Sequence, residues 1–332
     1  MTTRPLTRRR YALTVLTWAA AWAMAAVVGV MVGAEDIWSW EDGDAVASVL
    51  ALRFYSVMSA SVVGASLALA GLALQALLRN PLATPYVLGV SGGASLCIIL
   101  AGLFVSVLWQ PVFGFAGALA TVAIVYGVAQ RRGRLEPYTL LLSGVIINAF
   151  YAAGIMLVTS LVRPAERGAI AYWMMGSISR FDPRWWLVGV VGGLAVAGGM
   201  LFAVFAKGFN LVAVGEDAAG AMGIRVSRLR VVTFVGASLL TGASVALAGP
   251  IGFVGLICPH LLRMLLGADH RRLVPASLFF GAAFLVLADL TARLLEGIGG
   301  QAPPVGVLTA MCGGPFFIYL LRARWRRIAQ LR

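Results

Sequence analysis

The sequence predicts an all-α polytopic membrane protein of about ten transmembrane helices, folded as one domain over residues 1–332. Three observations predict it. The chain is 61% hydrophobic and only 12% charged, where an ordinary soluble domain carries roughly 25% charged residues. Apolar stretches of bilayer-crossing length, about 17 to 25 residues, recur from residue 11 to residue 321 with short polar breaks. The basic residues gather in those breaks with a one-sided bias, which is a topology signal.

Taken in order, the spans fall at 11–33, 53–77, 86–106, 112–130, 138–161, 185–205, 229–248, 252–266, 274–295 and 305–321. The first follows TRRRYAL and ends near VGAED. Its apolar run exceeds the 7 to 15 residues of a signal-peptide core, so a retained helix after a cytoplasmic tail of residues 1–10 is expected. The stretch GAEDIWSWEDGDAVASVLALR that follows carries five acidic residues before Arg53 and reads as a solvated outer loop. The eighth span is the shortest. With the N-terminus inside, 20 of the 26 basic residues lie on the cytoplasmic side and six (Arg53, Arg163, Arg167, Arg180, Arg184, Arg293) on the other, placing both termini in the cytoplasm. That distribution speaks for a membrane rather than a nucleic-acid partner as the meaning of the net charge of +13.

Small residues repeat at helical spacing, as in Ala60, Gly64 and Ala68 or Gly189, Gly193 and Ala197. In lipid such rows let helix backbones approach closely. One phrase occurs twice: GASLALAG at residues 64–71 and GASVALAG at 242–249. The register continues at Leu78/Leu256, Pro81/Pro259, Leu88/Leu266 and Gly89/Gly267. The copies start on spans two and seven, so they run in opposite directions, as in an inverted-repeat transporter; small-residue packing is the plainer reading. A turn at Gly249-Pro250 has no counterpart in the first copy, and the register could break there.

The chemistry is sparse. Cys97, Cys258 and Cys312 lie in apolar runs without CxxC spacing, and His260 and His270 stand ten residues apart, so neither set makes a metal site. A P-loop needs a lysine before Ser or Thr, yet the one lysine, Lys207, precedes glycine. The chain therefore carries no such ATP site, and uphill transport would draw on a partner ATPase or an ion gradient. Asp289 and Arg293 are four residues apart, on one helix face, toward the outer end of the ninth span. A local ion pair and a proton relay are the two readings, the first preferred. Gln75 and Asn148 are the other polar residues within spans; they bond helix to helix or, for Asn148 above all, line a pathway.

The segment KGFNLVAVGEDAAGAMGIRVSRLR, from residue 207, is the longest cytoplasmic break. Asn210 is placed to cap a short helix LVAV, Gly215 to end it, Glu216 and Asp217 to start a second, and Gly223 to close that one. Helices so short are marginal alone. They dock on something or merely link two spans.

Together the stretches LALAGLALQALLRNPLATPYVLGVSGGA, YWMMGSIS, LVAVGEDAAGAMGI, ALAGPIGFVGLICPHLLRMLLGADHRRLVP, LADLTAR and PPVGVLTAMCGGPFFIYLL resemble the FecCD family. These are permease subunits of bacterial ATP-binding-cassette importers for iron-siderophore complexes, haem and cobalamin. The resemblance runs in family order from about residue 53 to 322. It implies a type II importer permease of ten helices that forms a homodimer in the bacterial inner membrane. Two cytoplasmic ATPase subunits would hold the ATP and magnesium, this chain binding no cofactor and catalysing no reaction. A periplasmic or lipid-anchored binding protein would deliver cargo. Iron-siderophore is the first expectation for that cargo, with cobalamin or haem next; an ion-coupled secondary transporter is the alternative of a different class.

The resemblance also assigns residues. Val214, Gly215, Glu216, Asp217, Ala218, Gly220, Met222 and Gly223, within the segment 207–228, match the family's coupling helices, which seat in the ATPase. Arg53 and Arg293 match outer arginines that hold the binding protein. The family's RLPR is RFYS here, so Ser56 replaces a second docking arginine, with Arg163 and Arg167 as candidates to compensate. Asn80, Tyr138 and Thr139 match the cytoplasmic gate, although Asn80-Pro81 by itself reads as a turn.

Overall fold

The computed structural model describes residues 7–33, 42–131, 134–178 and 183–329. Arg4, Arg132, Arg180 and Arg332 of the charge distribution, and residues 34–41 of the acidic stretch, lie outside these residues. The described chain is helical: α1 Arg8–Met31, α2 Gly43–Leu77, α3 Val90–Phe104, α4 Gln110–Ala129, α5 Pro137–Leu161, α6 Pro164–Met174, α7 Trp185–Val214, α8 Glu216–Ala221, α9 Val226–Ala248, α10 Val254–Leu266, α11 His270–Gly299 and α12 Val305–Ala329. Strands β1 Gln130–Arg131 and β2 Arg134–Leu135 pair antiparallel between α4 and α5. Among the described residues seven helices, α1, α2, α4, α5, α7, α9 and α11, are long and apolar enough to cross a membrane. Three shorter apolar helices, α3, α10 and Val305–Ile318 of α12, stand at the remaining predicted spans.

The centre of the bundle is α2, which packs on α1, α7, α9, α10 and α11. Its small residues allow this. Gly64 lies against the backbone of Gly281 in α11, and Gly71 against that of Gly255 in α10, with no room at either for a side chain. In the second copy Gly242 meets Gly114 and Phe115 of α4. The two phrases thus hold corresponding helix crossings, α2 on α11 and α9 on α4.

Helix directions follow from the same contacts. Along α7, Trp185 lies on Tyr55, Gly192 on Val62 and Gly199 near Leu69, so α7 runs parallel to α2. Gly198 meets Leu240, Phe202 meets Gly236 and Gly208 meets Leu229, so α7 is antiparallel to α9. Hence α2 and α9 point in opposite directions. The packing has the matching symmetry: exchanging α2–α5 with α9–α12 carries α2·α11 onto α9·α4, α3·α4 onto α10·α11, α2·α10 onto α9·α3, α3·α5 onto α10·α12 and α4·α5 onto α11·α12.

Three expectations need correction, and one question left open is answered. The second helix begins at Gly43, not near 53, because Asp42 caps it: its Oδ1 accepts from Asp44 N at 3.0 Å and Ala45 N at 3.3 Å, and Asp44 lies in the first turn where the helix dipole favours it. Half of the stretch read as an acidic loop is therefore helix. The sixth span continues to Val214, so Asn210 lies inside the last turns of α7 and does not cap the LVAV stretch. The break after α5 contains a further helix, α6, started by Pro164 at its first position. Finally, the sequence register of the twin phrases fails after Gly249. The first copy stays helical to Leu77, whereas the second stops at Ala248, Gly249 adopts a left-handed φ of 67° against Trp173 O, and Pro81 lies in a turn while Pro259 lies inside α10.

Pro259 sets a further demand. It has no N–H to give to the carbonyl four residues earlier, and that carbonyl, Gly255 O, accepts instead from Gln75 Nε2 of α2 at 2.9 Å. The buried glutamine repairs a hydrogen bond that the proline removes from α10. Its role is helix-to-helix bonding, one of the two expected for it.

Candidate functional site

The segment matched to the family's coupling helices is a short exposed helix on a braced base. Gly215 breaks α7 with an extended backbone, α8 makes less than two turns, and Gly223 turns left-handed at φ 85° to deliver the chain to α9. Ala219 is buried beneath, and Ile224 N bonds back to Ala219 O at 3.0 Å. Val214 and Met222 are 78% and 65% exposed at either end. Asp217, Ala218 and Gly220 complete an exposed face. Glu216 at the start of α8 accepts from Arg230 Nη2 of α9 through both carboxylate oxygens at 3.0 Å. Arg230 is almost wholly buried, so a displacement of α8 must drag α9 or strip a buried cation of its partner.

The other brace was invisible in the sequence. Asn210 Nδ2 donates to Asp269 Oδ1 at 2.8 Å, and its Oδ1 accepts from His270 N at 2.9 Å. Asp269 also caps α11 by accepting from Arg271 N at 3.0 Å and pairs with the Arg271 guanidinium at 2.7 Å. Burial alone would push the Asp269 carboxyl up; bonds from Arg271 and Asn210 outweigh it and hold the group at about 2. It is therefore a carboxylate at any physiological pH. The last turns of α7 are tied to the start of α11, sixty residues on. No local pattern announces a bond across that separation; the helix-capping habit of Asn pointed to the wrong partner.

At the opposite end of α2, Arg293 Nε donates to Asp289 Oδ2 at 3.0 Å, and Ser56 Oγ donates to the same oxygen at 2.8 Å. Arg53 Nη1 reaches Met31 O at 3.3 Å, and Arg293 Nη1 reaches Val32 O at 3.5 Å. Both guanidinium groups thus stand at the C-terminal end of α1, where the helix dipole favours cations and the last turn of α1 has no basic residue of its own. Gly33 and Gly29 leave the room they occupy. Arg53, Arg293 and Asp289 are each at least 95% buried, so this is an internal polar cluster, with Ser56 inside it as a hydrogen-bond donor. The Asp289–Arg293 ion pair was legible from spacing; its third and fourth members were not.

Of the residues matched to a cytoplasmic gate, Asn80 and Thr139 bond within their own turns. Asn80 Oδ1 accepts from Leu82 N at 2.9 Å, an Asx turn. Thr139 Oγ1 donates to Glu136 Oε2 at 2.6 Å at the start of α5, and Tyr138 is 72% exposed. Asn148, half-buried on α5, turns its Oδ1 toward Gly92 of α3. The α5 face bearing Tyr138, Leu142, Val145, Ile146 and Phe150 is uncovered. Among the described residues no group of three or more His, Cys, Asp or Glu could hold a metal ion, and the three cysteines are free thiols.

Comparison with known proteins bears on what this arrangement serves. Residues 13–323 match the FecCD transport family. The chain is 40% identical over 280 residues to the cobalamin import system permease protein BtuC of Halobacterium salinarum, covering 82% of this chain and 73% of that one. It is 36% identical over 303 residues to the hemin transport system permease protein HmuU of Yersinia pestis, covering 88% of each. Among solved structures it superposes on a protein described as a metal-chelate type ABC transporter in an inward-facing conformation, with a TM-score of 0.80 at 28% identity over 94% of this chain and 99% of that one. With the match running through every membrane helix and through α8, the chain belongs to the FecCD transport family.

Proposed function

We propose that this chain is the permease subunit of an ATP-binding-cassette importer that moves a metal chelate across the bacterial inner membrane by alternating access. The observation that carries the reading is the family match over residues 13–323, which takes in α8 and both of its braces. The working unit is a homodimer, with the uncovered α5 face as the place where the copies meet and Asn148 beside the path. Ten helices span the bilayer: the seven long ones together with α3, α10 and α12. Both termini face the cytoplasm.

Two ATPase subunits hold ATP and magnesium and receive Val214, Gly215, Glu216, Asp217, Ala218, Gly220, Met222 and Gly223. Their closure pushes on α8, and the Glu216–Arg230 and Asn210–Asp269 bonds pass the push to α9 and α11. Asn80, Tyr138 and Thr139 line the cytoplasmic gate. Arg53 and Arg293 belong to the outer end that receives the binding protein; being buried, they shape that end rather than project from it. Ferric siderophore is the first choice of cargo, and the named relatives make cobalamin and haem the next.

An ion-coupled carrier finds little to work with, because Asp289, the ionisable group it would need, is bonded to Arg293 and Ser56. The test is co-expression with the neighbouring ATPase and binding-protein genes, followed by uptake in vesicles. ATP-dependent accumulation supports the reading. Accumulation on an ion gradient with no ATPase present would sink it.

A further inference from the structure

A groove of about 520 Å³ runs between α1, α2, α7 and α11, a size that accommodates a small-molecule ligand. Its walls are apolar. Small residues open it: Ala65 on α2, Ala195, Gly199 and Ala203 on α7, and Ala282 on α11. Of its polar side chains, Trp22 and Ser61 on the inner wall are bonded to each other, Nε1 donating to Oγ at 2.9 Å, and Tyr11 stands at the end of the lining, so the inner groove offers water little to hold. The direction is set by the helices that form it. Helices α1 and α11 run parallel, with Thr14 on Arg272, Trp18 on Phe280 and Gly29 on Val286. The lining starts at Tyr11 in the first turn of α1, at Val274 and Pro275 near the start of α11, and at Ala203 toward the end of α7. From Tyr11 to Trp22, and from Ala203 back to Gly192, it covers eleven residues, about 16 Å of helix. That is the depth of one leaflet of an about 30 Å hydrocarbon core.

Each of three helices places a cation one turn beyond this lining. Arg8 precedes Tyr11 by three residues, Arg271 precedes Val274 and Pro275 by three and four, and Lys207 follows Ala203 by four, the spacings that keep side chains on one helix face. Lys207, the only lysine in the chain, and Arg8 are exposed. Arg271 is partly neutralised by Asp269. An apolar slot one leaflet deep, with a cationic mouth at its cytoplasmic end, has the charge and shape complement of a phospholipid with a negative headgroup.

We propose that this groove is a binding site for an anionic phospholipid of the cytoplasmic leaflet, one acyl chain lying between α1, α7 and α11 and the phosphate meeting Arg8, Lys207 and Arg271. The proposal rests on the reading that these helices span the membrane with the N-terminus inside. Trp22, on the groove wall, gives a direct probe. The full chain is reconstituted in vesicles of phosphatidylcholine containing increasing phosphatidylglycerol with brominated acyl chains, or brominated phosphatidylcholine instead. Tryptophan quenching is recorded for the chain and for Trp22→Phe, the difference being the signal of this site.

The expected result is half-quenching of the Trp22 signal by brominated phosphatidylglycerol at a several-fold lower mole fraction than by brominated phosphatidylcholine. Removing Arg8 and Lys207 together as Arg8→Gln and Lys207→Gln raises the phosphatidylglycerol value about fivefold or more and leaves the phosphatidylcholine curve in place. Equal quenching by the two lipids, or a preference that survives the double substitution, overturns the site. The quenching needs no ATPase, cargo or binding protein, so equal quenching beside intact ATP-driven uptake would overturn the lipid site alone. A headgroup preference in a chain that never supports ATP-driven uptake would uphold the site and count against the importer reading.

Discussion

The phrase GASxALAG in α2 and its twin in α9 share seven residues and serve the same kind of crossing, yet their surroundings diverge on both sides. Eight residues before the shared glycine, α2 has Ser56 bonded to Asp289 in a buried polar cluster with Arg293 and Arg53 nearby. At the corresponding place α9 has Phe234, edge-on to Tyr126 of α4 at 5.6 Å. At the other end, Gly71 lies within a continuous helix, whereas its counterpart Gly249 is a left-handed stop. The two halves meet there: Gly255, just past the stop of the second copy, lies against Gly71 of the first and takes its missing hydrogen bond from Gln75. Identical small residues fix where two helices can touch, but not where a helix ends or what closes the crossing. Flanking residues decide those, and they differ because the two copies run in opposite directions, so that corresponding flanks face opposite ends of the bundle.

The comparison can be broken at its polar end first. Arg293→Leu leaves the Asp289 carboxylate buried with Ser56 alone, and the expected loss is about 3–5 kcal/mol, seen as a large fall in the thermal midpoint in detergent. Adding Asp289→Leu should recover most of it. A single substitution without effect would mean that the cluster is open to water. Next, equivalent glycines should respond unequally. A methyl at Gly64 runs into the Gly281 backbone, which cannot yield, while one at Gly242 meets Phe115 Cα at 2.9 Å and Gly114 O at 3.0 Å. Gly64→Ala should cost about 3 kcal/mol and Gly242→Ala about 1. Equal midpoints for the two would contradict the asymmetry.

A smaller effect is expected where the copies meet. Gln75→Leu strands Gly255 O at about 2 kcal/mol. In a Pro259→Ala background, the restored N–H of residue 259 should reduce that cost markedly. A double-mutant cycle showing no coupling would refute the repair. The smallest effect concerns pH. Asp269 titrates at about 2 in the fold and near 3.9 unfolded, so its contribution is complete above about pH 4 and is lost as pH falls toward 2. Asn210→Ala removes a bond to the carboxylate and should shift the acid limb of the midpoint-versus-pH curve upward; an unmoved limb would show that the Asn210–Asp269 bond contributes nothing.

Much of this was legible beforehand, for physical reasons that also explain the gaps. Membrane spans, the opposed twin phrases and the glycine-bounded α8 rest on local signals: apolar length, small-residue spacing and helix stops. The start of α2 was lost because acidic residues in a first turn look like loop until Asp42 is seen as a cap. The continuation of α7 through Asn210 was lost because the side chain expected to cap a helix bonds instead to Asp269 and His270. Arg53 and Arg293 were expected to project toward a binding protein, and their burial was not legible, since the C-terminal carbonyls of α1 that hold them are brought to them by packing rather than by local sequence. Gln75 required knowing that Pro259 would be packed against it.

The central claim is that an ATPase drives this permease through α8. Ala218→Arg places a cation on the exposed face of that helix without touching Ala219 beneath. The most direct measurement is co-purification of the chain with its ATPase, scored beside ATP-dependent uptake in vesicles. The account predicts that Ala218→Arg abolishes both while the thermal midpoint of the chain alone stays unchanged. Full ATPase capture and uptake by that variant, or uptake of cargo by the chain with no ATPase present, would contradict it.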